Sequence, residues 1–262
     1  MEGKAIVITS GKGGVGKTTT VANLSYALAT RGKKVVAIDA DVGLRNLDII
    51  LGLENRIVFH LVDVIKGRCK LKQAMIKHKK SDNLFLLPAS QTDEKDAISI
   101  EDMKKLIAEM KKEFDYILID SPAGIEHGFK TASAAADQAV IVCTPDVSSI
   151  RDADRVIGLL QSREIETYLL INRISPELVA RGDMLSKDDI LDILGIQLIG
   201  IVPKDRRILI ASNSGNPVVL DEESEAGPAY MRIANRIDGE AVEIIEPQIK
   251  KKGFFSRLGF KF

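Results

Sequence analysis

The sequence predicts one α/β domain: a mostly parallel, twisted sheet with helices on both faces. Three observations carry that expectation. Short β-branched runs alternate with helix-length amphipathic stretches along most of the chain. Several of those runs, such as VVAID at 35–39 and YILID at 116–120, are apolar almost throughout, as strands covered on both faces should be. The first strand-like run also passes straight into a glycine-rich segment that opens a helix-like one.

Taken in order, the β-branched runs place strands at Lys4–Thr9, Lys34–Asp39, Leu84–Pro88, Tyr116–Asp120, Ala139–Thr144, Tyr168–Asn172 and Leu198–Val202. The amphipathic stretches between and after them place helices at Lys17–Thr30, Glu101–Lys112, Ser149–Ser162, Lys187–Leu194 and Pro228–Asp238. Ser149 and Asp152 are spaced to form a capping box for the third helix. Its charged first turns, with Arg151, Asp152, Asp154 and Arg155, have the composition of a solvated face. There is no internal repeat, low-complexity block or long linker. The organisation expected is one domain over 1–246, with a linker and tail over 247–262.

The 262 residues can bury a substantial core, and 45% hydrophobic with 28% charged residues is ordinary for a globular protein. The net charge of zero hides an asymmetry. Five of the 37 basic residues lie in the last thirteen positions, which hold no acid; the rest of the chain has 32 basic against 37 acidic residues. A mildly acidic body argues against a broad nucleic-acid surface and sets the basic tail apart as a separate device. Cys69 and Cys143, with His60, His78 and His127, make no metal-ligand spacing, so reduced thiols in a reducing compartment are expected. The N-terminus enters a strand with no signal-peptide pattern, and no apolar run reaches the ~18–20 residues of a membrane span. The expected location is cytoplasmic, with any membrane contact peripheral.

Residues 11–18 read GKGGVGKT and satisfy G-x-x-x-x-G-K-[ST] between a strand and a helix. Gly11, Gly13, Gly14 and Gly16 let the backbone curl around one point, and the amides from Gly11 through Val15 to Thr19 converge on phosphate at a helix N-terminus. Lys17 would reach the β- and γ-phosphates, and the Thr18 hydroxyl would ligand Mg²⁺. Lys12 adds a second positive charge to the loop. It is either a solvated surface lysine or one compensated by phosphate, including a neighbouring subunit's.

KGGVGKT resembles the deviant Walker A motif of the ParA/MinD class of P-loop ATPases. That resemblance implies ATP and Mg²⁺ as ligands, hydrolysis as the activity, and an ATP-sandwiched homodimer in which Lys12 reaches the partner's nucleotide. Two carboxylate segments fit it. IDADVGLRNLD places Asp39 and Asp41 just past a strand's C-terminal end, where α/β sheets place ligands. Asp41 is expected to orient the attacking water, with Asp39 supporting the magnesium shell. DSPAG places Asp120 to hold Mg²⁺ through water and Gly124 to sense the γ-phosphate. Phosphoryl transfer asks mainly for positioning and charge neutralisation, which this set can supply.

The strand ending at Asn172 runs into NRIS, with Ser175 where a guanine-reading aspartate would stand. Asn172 is instead expected to meet the adenine edge and Arg173 to stack on the ring. The loop at Pro203–Asp205 resembles a P-E-D segment flanking the base in that class, so Pro203 and Asp205 join the expected site; Lys204 departs from the glutamate of that pattern.

The tail reads KKKGFFSRLGFKF. On a helical wheel Phe254, Leu258, Phe262 and Phe255 fall within about 100° of arc, with Lys250, Arg257 and Lys261 on its flank. With Lys251 and Lys252, this is the composition of a reversible anchor for an anionic membrane surface. Each basic residue near such a surface contributes roughly 1 kcal/mol. Ordering the tail costs on the order of 1 kcal/mol per residue, so one tail is marginal while two on a dimer gain ~10²–10⁴-fold in avidity. SPAGIEHGFKTA, SSIRDADRVIGLL and the tail together resemble the septum-determining branch of the class, over essentially the whole chain. That resemblance implies a homodimer on the inner face of the cell membrane, recruiting a MinC-type division inhibitor and stimulated by a MinE-type activator where one exists. No specific nucleic acid is expected. The alternatives within the class are a DNA-segregation ATPase, which would need a basic face, and a flagellar-number regulator, which carries an added N-terminal segment. An iron–sulfur reductase would need two suitably placed cysteines, and Cys69 lacks a companion.

Overall fold

The computed structural model describes residues 2–94 and 97–249. Eight strands form one sheet: β1 (Lys4–Thr9), β2 (Val35–Asp39), β3 (Ile76–Lys77), β4 (Leu84–Leu87), β5 (Tyr116–Asp120), β6 (Gln138–Cys143), β7 (Glu166–Ile174) and β8 (Gln197–Pro203). Their spatial order is β3-β4-β2-β5-β1-β6-β7-β8. Every neighbouring pair is parallel except β3 with β4. The long helices are α1 (Lys17–Thr30), α5 (Ile100–Met110), α7 (Val147–Gln161), α9 (Lys187–Leu194) and α11 (Ala226–Ile237). Shorter ones are α2 (Leu47–Ile50), α3 (Leu61–Ile65), α4 (Leu71–Ala74), α6 (His127–Ser133), α8 (Pro176–Ala180) and α10 (Arg207–Asn213).

The two-residue period of a strand divides the apolar side chains between two cores. Along β1, Ala5 and Val7 enter one and Ile6 and Ile8 the other; along β2, Val36 and Ile38 face opposite to Val35 and Ala37. The first core is closed by α3, α5, α6, α7 and α9, the second by α1, α2 and α11. Both faces of the central strands are therefore dry, which is why they read as unbroken apolar runs.

Seven expected strands and five expected helices are present, with ends differing by at most two residues; β7 is longer by two at each end, at Glu166–Ile174. The edge strand β3 and the six short helices were not expected, because four to seven residues hold too little periodicity to stand out. The cap of α7 is a correction. The helix begins at Val147, and its N-cap is Asp146, whose carboxylate accepts from the Ser149 amide. Ser149 lies inside the first turn, where its hydroxyl accepts from the Thr144 amide at 3.0 Å, so Ser149 and Asp152 form no capping box.

After α11 the chain runs without regular structure over the described residues 240–249. The Arg236 guanidinium donates to the Val242 carbonyl, Ile244 packs on the first core, and Glu246 pairs with Lys187 at the start of α9. The expected membrane-contacting residues Lys250, Lys251, Lys252, Phe254, Phe255, Arg257, Leu258 and Phe262 lie outside the described residues.

Candidate nucleotide site

The glycine-rich loop joins the central strand β1 to α1, with β5 on one side of β1 and β6 on the other. The helices after β5 and β6 leave toward the same core, while α1 enters the other; the loop stands at the carboxyl end of the sheet, where α/β proteins bind ligands. Two of its glycines are required by contact. A Cβ on Gly16, whose φ is +104°, would lie 2.4 Å from Asn172 Nδ2. One on Gly11 would lie 2.2 Å from the Asp152 carbonyl oxygen of α7. Gly16 is also the N-cap of α1 and offers no side chain, so the first amides of that helix keep their donors for an anion.

Lys17 is buried and its ammonium donates to Ser10 Oγ at 3.1 Å. Burial lowers its pKa, against the opposing pull of Asp120 and then Asp41. Thr18 donates its hydroxyl to Asp120, whose other oxygen, Oδ1, has no hydrogen-bond partner although buried. Register sets Asp39 beside Asp120 on the adjacent strand. Burial drives the Asp120 carboxyl well above the usual range, with the Asp39 charge adding to it. Two buried carboxylates side by side, one with an unpartnered oxygen next to a threonine hydroxyl, fit a hard divalent cation. No cluster of three or more His, Cys, Asp or Glu ligands exists among the described residues, so such an ion would complete its shell with phosphate oxygens and water, as Mg²⁺ does.

Asp39 does further work on the backbone. Its Oδ1 accepts from the Asp41 amide at 3.0 Å, and Oδ2 from the Asn46 and Leu47 amides at 3.1 and 3.2 Å. Burial nevertheless pushes its carboxyl up to about 6. The carboxylate thereby pins both ends of the 41–46 turn. That turn contributes Asp41, Leu44 and Asn46 to a cleft of about 460 Å³ shared with Lys17, Thr18 and Thr19. The Gly124 amide, expected to face a γ-phosphate, donates to the Ser10 carbonyl at 3.1 Å.

A second cleft, of about 400 Å³, lies across Gly13 and Gly14 and is lined by Lys12, Val15, Arg173, Met184 and Lys204. Arg173 borders both clefts and sits at φ +59°, inside a register shift of β7 against β8. A bulky residue held there is the kind of strain that accompanies ligand sites. Asn172 is turned to the loop: its Nδ2 donates to the Val15 carbonyl at 2.7 Å and its Oδ1 accepts from the Arg173 amide. Pro203 and Asp205 line neither cleft. Asp205 is spent on scaffold, accepting from the Ser224 hydroxyl, the Glu225 and Ala226 amides at the start of α11, and the Arg207 amide. Lys204 takes the place at the rim, a residue the sequence flagged only as a departure. Ser10, the hydroxyl that meets Lys17, was missed because it precedes the motif.

Lys12 folds back on its own subunit. Its ammonium donates to Asp146 Oδ1 at 3.1 Å and Ser148 Oγ at 2.6 Å, both at the start of α7. Both side chains of the ion pair remain over 40% exposed.

Residues 3–167 match the family model of an AAA domain. The septum site-determining protein MinD of Bacillus subtilis is 51% identical over 98% of this chain and 97% of its own length. MinD of Escherichia coli is 48% identical over 97% and 98%. Among solved structures, a MinC:MinD cell division protein complex from Aquifex aeolicus aligns with a TM-score of 0.88 and 52% identity over 93% of this chain and 98% of the other. MinD from Pyrococcus horikoshii, solved with Mg-ADP, aligns at 0.83 with 30% identity over 90% and 96%.

Proposed function

The chain belongs to the MinD family of septum site-determining proteins, and on that premise we propose that it is an ATP-switched dimer that carries a division inhibitor to the membrane. It is a Mg²⁺-dependent P-loop ATPase. Lys17 neutralises the β- and γ-phosphates while the α1 amides and the loop backbone bind them. Thr18 and Asp120 hold the metal, with Asp39 behind them; the bound Mg²⁺ supplies charge neutralisation on the phosphate oxygens. Asp41 orients the attacking water. Arg173, across the loop, faces the base.

The observation that carries the dimer reading is the posture of Lys12. An ion pair so exposed contributes at most about 1 kcal/mol. Exchanging it for a charge-assisted bond to a partner's phosphate is then easily favourable. Dimerisation brings two copies of the 250–262 tail together, and their paired Phe254, Phe255, Leu258 and Phe262 with Lys250, Lys251, Lys252 and Arg257 give avidity on an anionic leaflet. The protein then sits peripherally on the inner face of the cell membrane, and among the described residues no helix is long and apolar enough to cross one. A MinC-type inhibitor is the recruited partner, in keeping with the complex solved for the Aquifex relative. Hydrolysis, stimulated by a MinE-type activator where one exists, breaks the dimer and releases both tails.

Co-sedimentation with anionic vesicles tests this. The full chain should pellet with ATP or a slowly hydrolysed analogue and stay in the supernatant with ADP. Deletion of 250–262 should abolish pelleting. Pelleting that survives the deletion, or that ignores the nucleotide, rejects the proposal.

A further inference from the structure

The turn that leaves β2 contains an ion pair that no step above uses. Asp48, in the first turn of α2, is 1% exposed, and its carboxylate lies against the helix-start amides of Ile49 and its own residue. Its partner is Arg45: the guanidinium Nε stands 2.9 Å from Asp48 Oδ2, with the arginine side chain 17% exposed. Burial pushes the Asp48 carboxyl up, and the Arg45 charge pulls it back. A buried carboxylate that loses its charge partner is strongly destabilising, so the pair holds the arginine inward.

Arg45 is itself in a rare conformation, at φ +31°. The Leu44 and Arg45 amides donate to the Asp41 carbonyl at 3.2 and 3.3 Å, so the turn that Arg45 closes is the one that Asp41 begins. With the Arg45 side chain drawn in toward Asp48, Leu44 is 60% exposed, and Leu44 and Asn46 line the cleft together with Asp41. Asp39 fixes the amides at the two ends of the turn, and the Arg45–Asp48 pair fixes the side chain of the residue that closes it.

We propose that Asp48, acting through the Arg45 guanidinium, is a positioning residue that holds the 41–46 turn so that Asp41 meets the attacking water. The inference rests on the water-orienting role assigned to Asp41. A displacement of a positioned group by about 1 Å can cost about 10²-fold in rate, and the pair is one of the anchors that hold the turn against such a displacement.

The test is steady-state ATP hydrolysis by the full chain, with nucleotide affinity and dimerisation measured on the same preparations. Asp48→Asn and Arg45→Lys should each lower kcat by about 10–100-fold. KM for ATP and ATP-dependent dimerisation should stay within about two-fold, a split that general loosening of the fold would not produce. The double variant should be no slower than the slower single one, because the two residues act as one unit. If Asp48→Asn does not fold, Arg45→Lys, in a partly exposed turn, carries the test. Near-parental kcat in folded Arg45→Lys overturns the proposal, and so do two effects that multiply in the double variant. Asp41→Ala run alongside separates the two readings. Parental turnover in Asp41→Ala removes Asp41 from its role; a dead Asp41→Ala beside parental Asp48→Asn and Arg45→Lys removes only the positioning pair.

Discussion

Replacing Asn172 by alanine distinguishes two roles that this residue could play at the nucleotide. Its Nδ2 donates to the Val15 carbonyl at 2.7 Å, in a contact where Val15 is 2% and Asn172 2% exposed. The same amide packs against Gly16, at the bend of the phosphate loop. Truncation leaves a buried carbonyl without this donor and a void beside the bend, at a cost of about 1–3 kcal/mol. If that cost falls on the loop conformation that binds phosphate, affinity drops by about 5–150-fold. The loss should be shared by every ligand the loop cradles. Titration calorimetry with Mg-ADP and with Mg-pyrophosphate is the assay, since pyrophosphate has no base. Both should weaken by a similar factor of at least about five. A weakened ADP beside an unchanged pyrophosphate would refute the clamp and restore Asn172 to the adenine edge.

Three further outcomes follow from the charges in the site. In metal-free protein, Asp120→Asn removes a buried carboxylate with an unpartnered oxygen, so the variant should melt no lower than the parent while Mg²⁺ loses its effect on ADP affinity; parental metal dependence in calorimetry with and without chelator contradicts this. Asp39, pushed up to about 6 from its ordinary 3.8, keeps in the folded state a proton that the unfolded chain has lost, so its contribution to stability falls as pH rises through that window and stays lost above it. Chemical denaturation of metal-free parent and Asp39→Asn should show their difference moving toward the variant from pH 4 to 7, and a flat difference contradicts it. Lys12→Ala removes only an exposed ion pair with Asp146 and an exposed hydrogen bond to Ser148, so its unfolding free energy should stay within about 1 kcal/mol of the parent; a larger loss in the same assay means that these contacts support the fold.

The features legible in the sequence are those encoded by near neighbours. The loop at 11–18 announces itself because strand, glycines, lysine and threonine are consecutive, and the central strands announce themselves because burial on both faces leaves no polar position. Asp41 and Asp120 could be placed for a related reason: each lies at or just past the end of a legible strand. Asn172 was singled out for the adenine edge, but its contact with Val15 spans 157 positions and nothing local reveals it. The Lys12–Asp146 pair spans 134 positions and was equally hidden, which left the lysine's posture open. Asp205 misled for the opposite reason. It sits in a loop with the right local pattern, but the start of α11, some twenty residues on, claims its carboxylate. The Arg45–Asp48 pair is local, yet its importance depends on burial and on a left-handed arginine, neither of which leaves a mark in composition.

Sedimentation velocity of the full chain carrying Asp41→Ala, with Mg-ATP and no lipid, tests the switch most directly. The slowed hydrolysis should trap a particle of twice the chain mass. ADP, or the added substitution Lys12→Ala, should return it to one. A single-chain particle at saturating Mg-ATP would contradict the account, as would a dimer indifferent to which nucleotide is bound.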